Sequence, residues 1–183
     1  GGAGKTRLAV EAARDATGGA VAEARLVDLT PLTDPALLEE TLADAVGVHA
    51  EPGQPLVRTV AAALGAGPVL LVLDNCEHLV AGCAALVQAL LAAAASLRVL
   101  ATSREPLAVP GECVHLVRPL GTPEEDAGDA EAAASPAVRL FRDRAGAAGV
   151  GAGVLAGHAQ LVARLCRRLD GLPLAIELAA ARA

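Results

Sequence analysis

The chain begins GGAGKTRLAV, and Gly4-Lys5-Thr6 closes the pattern G-x-x-x-x-G-K-[ST], whose first glycine would fall one residue before Gly1. Each residue type in that pattern has a chemical task. Backbone N–H groups around Gly2 and Gly4, and the helix N-terminus that follows, converge on an anion, while Lys5 adds charge at the outer phosphates. The Thr6 hydroxyl offers an oxygen to Mg²⁺. Lys5 is the only lysine among fifteen Lys and Arg residues, and the planar fork of arginine is a poor substitute for a compact ammonium in this role. The tripeptide alone is weakly specific, so a second motif is required.

That second motif is a carboxylate closing a buried strand, the place from which Mg²⁺ is held through water. Asp74 ends the apolar run VLLVLDN (69–75) and is the candidate catalytic and metal-binding acid; the plainer account of it is a turn residue at a strand end. A third candidate, Arg104 in LRVLATSREPL, directly follows a second apolar run, at the edge where open α/β sheets bind ligands. It could reach a terminal phosphate, and an exposed loop arginine explains its position equally well. The fourth stretch, CRRLDGLPLAIELAAAR (166–182), reads locally as helix, tight turn, helix.

These residues need elements to position them. Leu8, Ala9, Ala12 and Ala13 recur at helical spacing from Lys5 to about Thr17, where Gly18-Gly19 ends the run. Residues 24–29 (ARLVDL) predict a strand, and Asp34-Pro35 with Glu39 predicts the start of a helix reaching Val46. A helix over 55–64, the strand at 69, a helix from Glu77 to about Ala95, a strand over 97–102 and a short strand near 114–117 complete the pattern. The order βαβαβ, with a continuous apolar run at 69–73, predicts a parallel sheet with helices on both faces. Residues 119–135 are acidic and punctuated by Pro and Gly, which predicts a linker. Beyond it only helices are expected, over 136–148, 158–170 and 174–182. The expected organisation is therefore a nucleotide-binding α/β domain over 1–118, the linker, and a small all-helical subdomain over 136–183.

Composition bounds the rest. The 183 residues are enough for one domain with a small appendage, and the near-absence of aromatics makes the core one of Leu, Val and Ala. A net charge of −6 argues against this segment gripping nucleic acid by itself. Cys76, Cys83, Cys113 and Cys166 lack C-x-x-C spacing, which favours thiols in a reducing cytosol over a metal site. No apolar run free of turn signals is long enough to span a bilayer. With no Met and a motif cut at its first glycine, both ends read as arbitrary.

Taken together, GGAGKTRLA, VLLVLDNCEHL (69–79), RVLATSREPL (98–107), SPAVRLFRDRA (135–145) and LDGLPLAIELAAAR (169–182) resemble the NB-ARC-like ATPase module of STAND regulators. The nearest likeness is to actinobacterial transcriptional regulators of the SARP/AfsR and LuxR types. The resemblance implies a P-loop NTPase fold whose first central strand precedes Gly1, binding ATP or ADP with Mg²⁺ as a cytoplasmic signalling switch. It implies nucleotide contacts from Gly2, Ala3, Gly4, Lys5, Thr6 and Arg7, metal contacts from Thr6 and Asp74, a γ-phosphate sensor at Arg104, and Pro173 beside the adenine and ribose. It also implies self-association or partner domains elsewhere in the parent, with any DNA contact outside this segment. Relatives often carry two acids at the end of the second motif; here the second position is Asn75, which cannot serve as a base, so slow or absent hydrolysis is expected. A P-loop small-molecule kinase and a nucleotide-free interaction scaffold are the competing classes.

Overall fold

The computed structural model describes residues 2–50 and 53–183. Contacts divide the chain into two compact units, Lys5–His115 and Leu116–Ala183, the latter joined by Gly1–Gly4.

The first unit is built on a three-stranded parallel sheet in the order β1 (Glu23–Asp28), β2 (Val69–Asp74), β3 (Arg98–Ala101). Every residue of β2 is buried, which explains its unbroken apolar sequence: a central parallel strand has no solvent face to mark with polar residues. Its side chains divide by parity. Leu71 and Leu73 enter a core with residues of α2 (Leu38–Val46), α3 (Leu56–Leu64) and α4 (Val80–Ala93). Leu70 and Val72 pack with Ala9 and Ala13 of α1 (Lys5–Ala16). Helices thus cover both faces, and the expected α/β class is observed.

Local chemistry explains the helix ends. The Asp34 carboxylate accepts from the Ala36 amide at 2.9 Å and opens a 3-10 turn, Pro35–Leu37, that feeds α2. At the other end of α2, Gly47 adopts the left-handed conformation that a C-cap requires.

Three expectations need correction. The helix after β2 does not begin at Glu77: Asn75 sits in the left-handed region at φ 66°, Cys76–His78 form a 3-10 turn, and α4 starts at Val80. Residues 114–117 form no strand; Val114 and Leu116 are 68% and 74% exposed, and apolar alternation without a neighbouring edge does not make a strand. The stretch 119–135 is not structureless throughout, because its alanines form α5 (Asp129–Ala134) around the fully buried Ala132.

The second unit is helical: α5, α6 (Pro136–Ala147), α7 (Ala152–Gly157), α8 (Ala159–Arg168) and α9 (Pro173–Ala180). Its core joins Val138, Phe141, Val162, Cys166 and Ile176. Ser135 caps α6, its hydroxyl accepting from the Val138 amide, with Pro136 at the first helical position. The motif GLP closes α8 and opens α9. A Cβ on Gly171 would lie 2.1 Å from the Leu120 carbonyl oxygen, and φ there is +64°, so this position accepts only glycine without backbone movement. The same contact is a backbone bridge, with the Leu120 N–H donating to the Gly171 carbonyl at 2.9 Å.

Candidate functional site

The C-terminal edge of the sheet gathers most of the candidate side chains. β2 and β3 pair with a constant offset, Leu70 opposite Arg98 through Leu73 opposite Ala101, so one more step sets Asp74 beside Thr102. The Thr102 hydroxyl donates to Asp74 Oδ1 at 2.5 Å and accepts from the Asn75 amide at 3.0 Å. Its backbone is engaged as well: the Thr102 N–H donates to the Leu73 carbonyl, and the Cys76 N–H donates to the Thr102 carbonyl, both at 2.9 Å. Thr102 therefore straps the loop after β2 to the end of β3.

Asp74 is buried and also receives the Thr6 hydroxyl, 2.9 Å from each carboxylate oxygen. Residues 68 apart in sequence are brought within one hydrogen bond because α1 packs Ala9 and Ala13 against Leu70 and Val72, with Thr6 of its first turn beside the end of β2. A hydroxyl and a carboxylate converging in this way are the hard oxygen donors that Mg²⁺ takes, usually with water and phosphate oxygens completing its shell. The described residues hold no cluster of three or more His, Cys, Asp or Glu side chains suited to a metal ion. The side chain of Lys5, at the first position of α1, makes no hydrogen bond or ion pair with a described residue. Arg7 is exposed on the next turn position and does have an interaction partner.

Arg104 lies in the loop after β3, its side chain 68% exposed. Its Nε donates to Glu77 Oε1 at 3.0 Å, and Glu77 is only 17% exposed. The turn that carries Glu77 is anchored by its neighbour, since His78 Nε2 donates to the Leu32 carbonyl at 2.7 Å. Cys76 opens this turn and is fully buried. Its thiol is pushed far up, first by hydrogen bonding with Cys83 and then by burial, so it stays protonated and is no nucleophile at neutral pH.

Within the helical unit, Pro173 and the opening glycines meet. A Cβ on Gly4 would stand 3.8 Å from Pro173 Cγ, and one on Gly2 3.3 Å from Leu174 Cβ. The Leu174 amide donates to the Gly2 carbonyl at 3.3 Å. Gly2 and Gly4 have φ of +83° and +89°, so the turn before Lys5 uses a conformation open to glycine and strained for alanine. Ala3 is half-buried between them. A cavity near 320 Å³ is lined by Arg139, Arg142, Asp143, Gly146, Val150 and Leu155 and takes in none of the candidate residues.

Two residues of this geometry escape sequence reasoning. Thr102 lies within RVLATSREPL but that stretch gives it no task of its own; the β2–β3 register identifies it. Glu77 reads from sequence as an acid favouring a helix N-terminus, whereas the structure pairs it with Arg104.

The chain is 42% identical, across an alignment of 186 positions that covers all of it, to proteins of Mycobacterium tuberculosis and Mycobacterium bovis whose names read "Putative HTH-type transcriptional regulator". It is 38% identical over 155 residues, 85% of the chain, to a Mycobacterium tuberculosis protein named only as uncharacterized. The chain spans 19% of the length of the regulators and the aligned part covers 37% of the uncharacterized protein, so it corresponds to one segment of much longer relatives. No family model matches it. No solved structure matches it. No helix among the described residues is long and apolar enough to cross a membrane.

Proposed function

We propose that this chain is the nucleotide-binding switch of a transcriptional regulator, holding ATP or ADP with Mg²⁺ and changing its interactions with the nucleotide bound. The observation that carries this reading is the convergence of Thr6 and Asp74 at the end of a fully buried parallel strand. A Lys5 side chain without a hydrogen bond or ion pair among the described residues, at the first turn of α1, supports it, because an ammonium and a helix N-terminus together favour a polyphosphate.

In this reading Gly2, Ala3, Gly4, Lys5, Thr6 and Arg7 hold the phosphates, and Thr6 and Asp74 hold the metal. Mg²⁺, when bound, screens phosphate charge; Thr102 keeps the Asp74 carboxylate oriented for it. Pro173 is assigned to the base and ribose on the strength of the family resemblance. Asn75 occupies the place where a second acid would sit, and Glu77 is engaged by Arg104, so the reading favours retention of nucleotide over rapid turnover.

Arg104 cannot be the whole switch. Carrying a two-state equilibrium from 1:99 to 99:1 takes about 5.5 kcal/mol of differential binding, and a charge-assisted hydrogen bond contributes roughly 1.5 to 3 kcal/mol. Contacts through Mg²⁺ and to other parts of the parent must supply the rest. Output to DNA belongs, in this reading, to regions outside the segment, as the names of the longer relatives suggest.

The test is the nucleotide carried by the purified full-length protein, released by denaturation and identified by chromatography. Near-stoichiometric ADP or ATP, lost on Lys5→Ala, is the expected outcome. A protein that carries none and binds none on addition would instead be an interaction scaffold. Rapid phosphate release dependent on an added small molecule would point to a kinase.

A further inference from the structure

The ion pair between Glu77 and Arg104 is asymmetric in three respects. It is single-pronged: Arg104 Nε donates to Glu77 Oε1, while the two terminal guanidinium nitrogens make no hydrogen bond with a described residue. It is unequal in burial, the carboxylate being largely covered and the guanidinium largely exposed. And the second carboxylate oxygen, Glu77 Oε2, is buried without a hydrogen-bond partner. Arginine and carboxylate frequently pair through two parallel N–H···O bonds, an arrangement this pair does not use.

We propose that Glu77 is a positioning residue for Arg104. It holds the guanidinium by Nε and leaves the terminal nitrogens to take an oxyanion, the terminal phosphate of a nucleoside triphosphate, in a two-pronged grip. Arginine suits the task because its five donors form a rigid fork, so fixing one edge orients the other. Glu77 is itself fixed: the Cys76–His78 turn is bound to the Thr102 carbonyl through the Cys76 amide and to the Leu32 carbonyl through His78. Arg104 follows Thr102 by two residues, so both partners are referenced to the same strap. Glu77 thereby contributes to discrimination between triphosphate and diphosphate without touching either. This inference rests on the nucleotide reading of the site.

The experiment is a binding comparison in the full-length protein, using ADP and a non-hydrolysable ATP analogue, each with Mg²⁺, for the wild type, Glu77→Ala, Glu77→Gln, Arg104→Ala and the Glu77→Ala/Arg104→Ala double variant. Glu77→Ala is expected to weaken the analogue about tenfold while ADP stays within about twofold, tenfold being the factor carried by 1.4 kcal/mol. Arg104→Ala is expected to show the same selectivity, and the double variant to be no weaker than Arg104→Ala. Glu77→Gln keeps an acceptor oxygen for Nε and should retain most of the discrimination; it also serves if the alanine variant does not fold. Tighter analogue binding by Glu77→Ala would overturn the proposal and make the pair a restraint on Arg104. Equal loss of both nucleotides, or additive losses in the double variant, would make Glu77 merely structural. A wild type that binds neither nucleotide would refute the nucleotide reading itself, an outcome visible before any variant is compared.

Discussion

The two units of this protein hold their motif residues in place by different means. In the sheet unit, side chains fix one another: Thr102 to Asp74, Thr6 to Asp74, Glu77 to Arg104, all at the end of strands whose register sets the pairs opposite. In the helical unit the GLP turn is fixed by main chain, through the Leu120–Gly171 bridge and the Leu174 amide on the Gly2 carbonyl. The first arrangement is sensitive to the chemistry of a side chain. The second is sensitive to the addition of a single carbon atom.

The largest effect that would test this contrast is Leu71→Ala, at the centre of β2, where the side chain is fully buried. It should cost about 3 to 5 kcal/mol, as for other leucines whose deletion leaves a cavity in a close-packed core. Denaturant titration measures the total, and thiol labelling assigns it to a unit: Cys76 and Cys83 are buried in the sheet unit, Cys166 in the helical unit, and Cys113 is exposed as an internal reference. Burial pushes the Cys166 thiol up to about 11, so its labelling at neutral pH reports opening of the surrounding helices. Faster labelling of Cys76 and Cys83, with Cys166 unchanged, is expected. Uniform acceleration would mean that the two units open as one.

Gly171→Ala is the counterpart in the helical unit, at about 2 to 3 kcal/mol, since a strained backbone and a blocked approach to Leu120 must both be relieved. Here Cys166 should label faster and Cys76 should not. A neutral result would show that the turn relaxes freely, and the contrast between the units would lose its basis.

Thr102→Val sharpens the comparison at smaller scale. The shape is nearly kept, but the Asp74 carboxylate and the Asn75 amide each lose a partner, at a cost of about 1 to 3 kcal/mol. Thr102→Ser keeps the hydroxyl and should recover most of the loss in the same thermal-denaturation series. Recovery as full with Val as with Ser would mean that packing, and not the hydrogen bonds, holds this edge together.

Much of this organisation was legible in the residues themselves. The run 69–74 could be read as a fully buried strand because a central parallel strand has no polar face, and Asp74 stood out as the one carboxylate closing such a run. The helix at Lys5, the linker's acidic texture and the GLP break were likewise local signals. The strand expected at 114–117 failed because pairing is supplied by a neighbour, which four residues cannot specify. The helix expected from Glu77 failed because Asn75, one of the few residues at ease with positive φ, turns the chain before α4 begins.

By itself, then, the sequence determined the α/β class, the two stretches of glycine-dependent turn and the candidate side chains Lys5, Thr6, Asp74 and Arg104, because each is written in residue types within a short window. The tertiary structure alone decided which groups meet. Thr6 and Asp74 are 68 residues apart, Asp74 and Thr102 are 28 apart, and Glu77 and Arg104 are 27 apart. Those distances close only when β2 and β3 pair in one register and α1 packs on the face of β2 that Leu70 and Val72 form, and a register is a property of strands together.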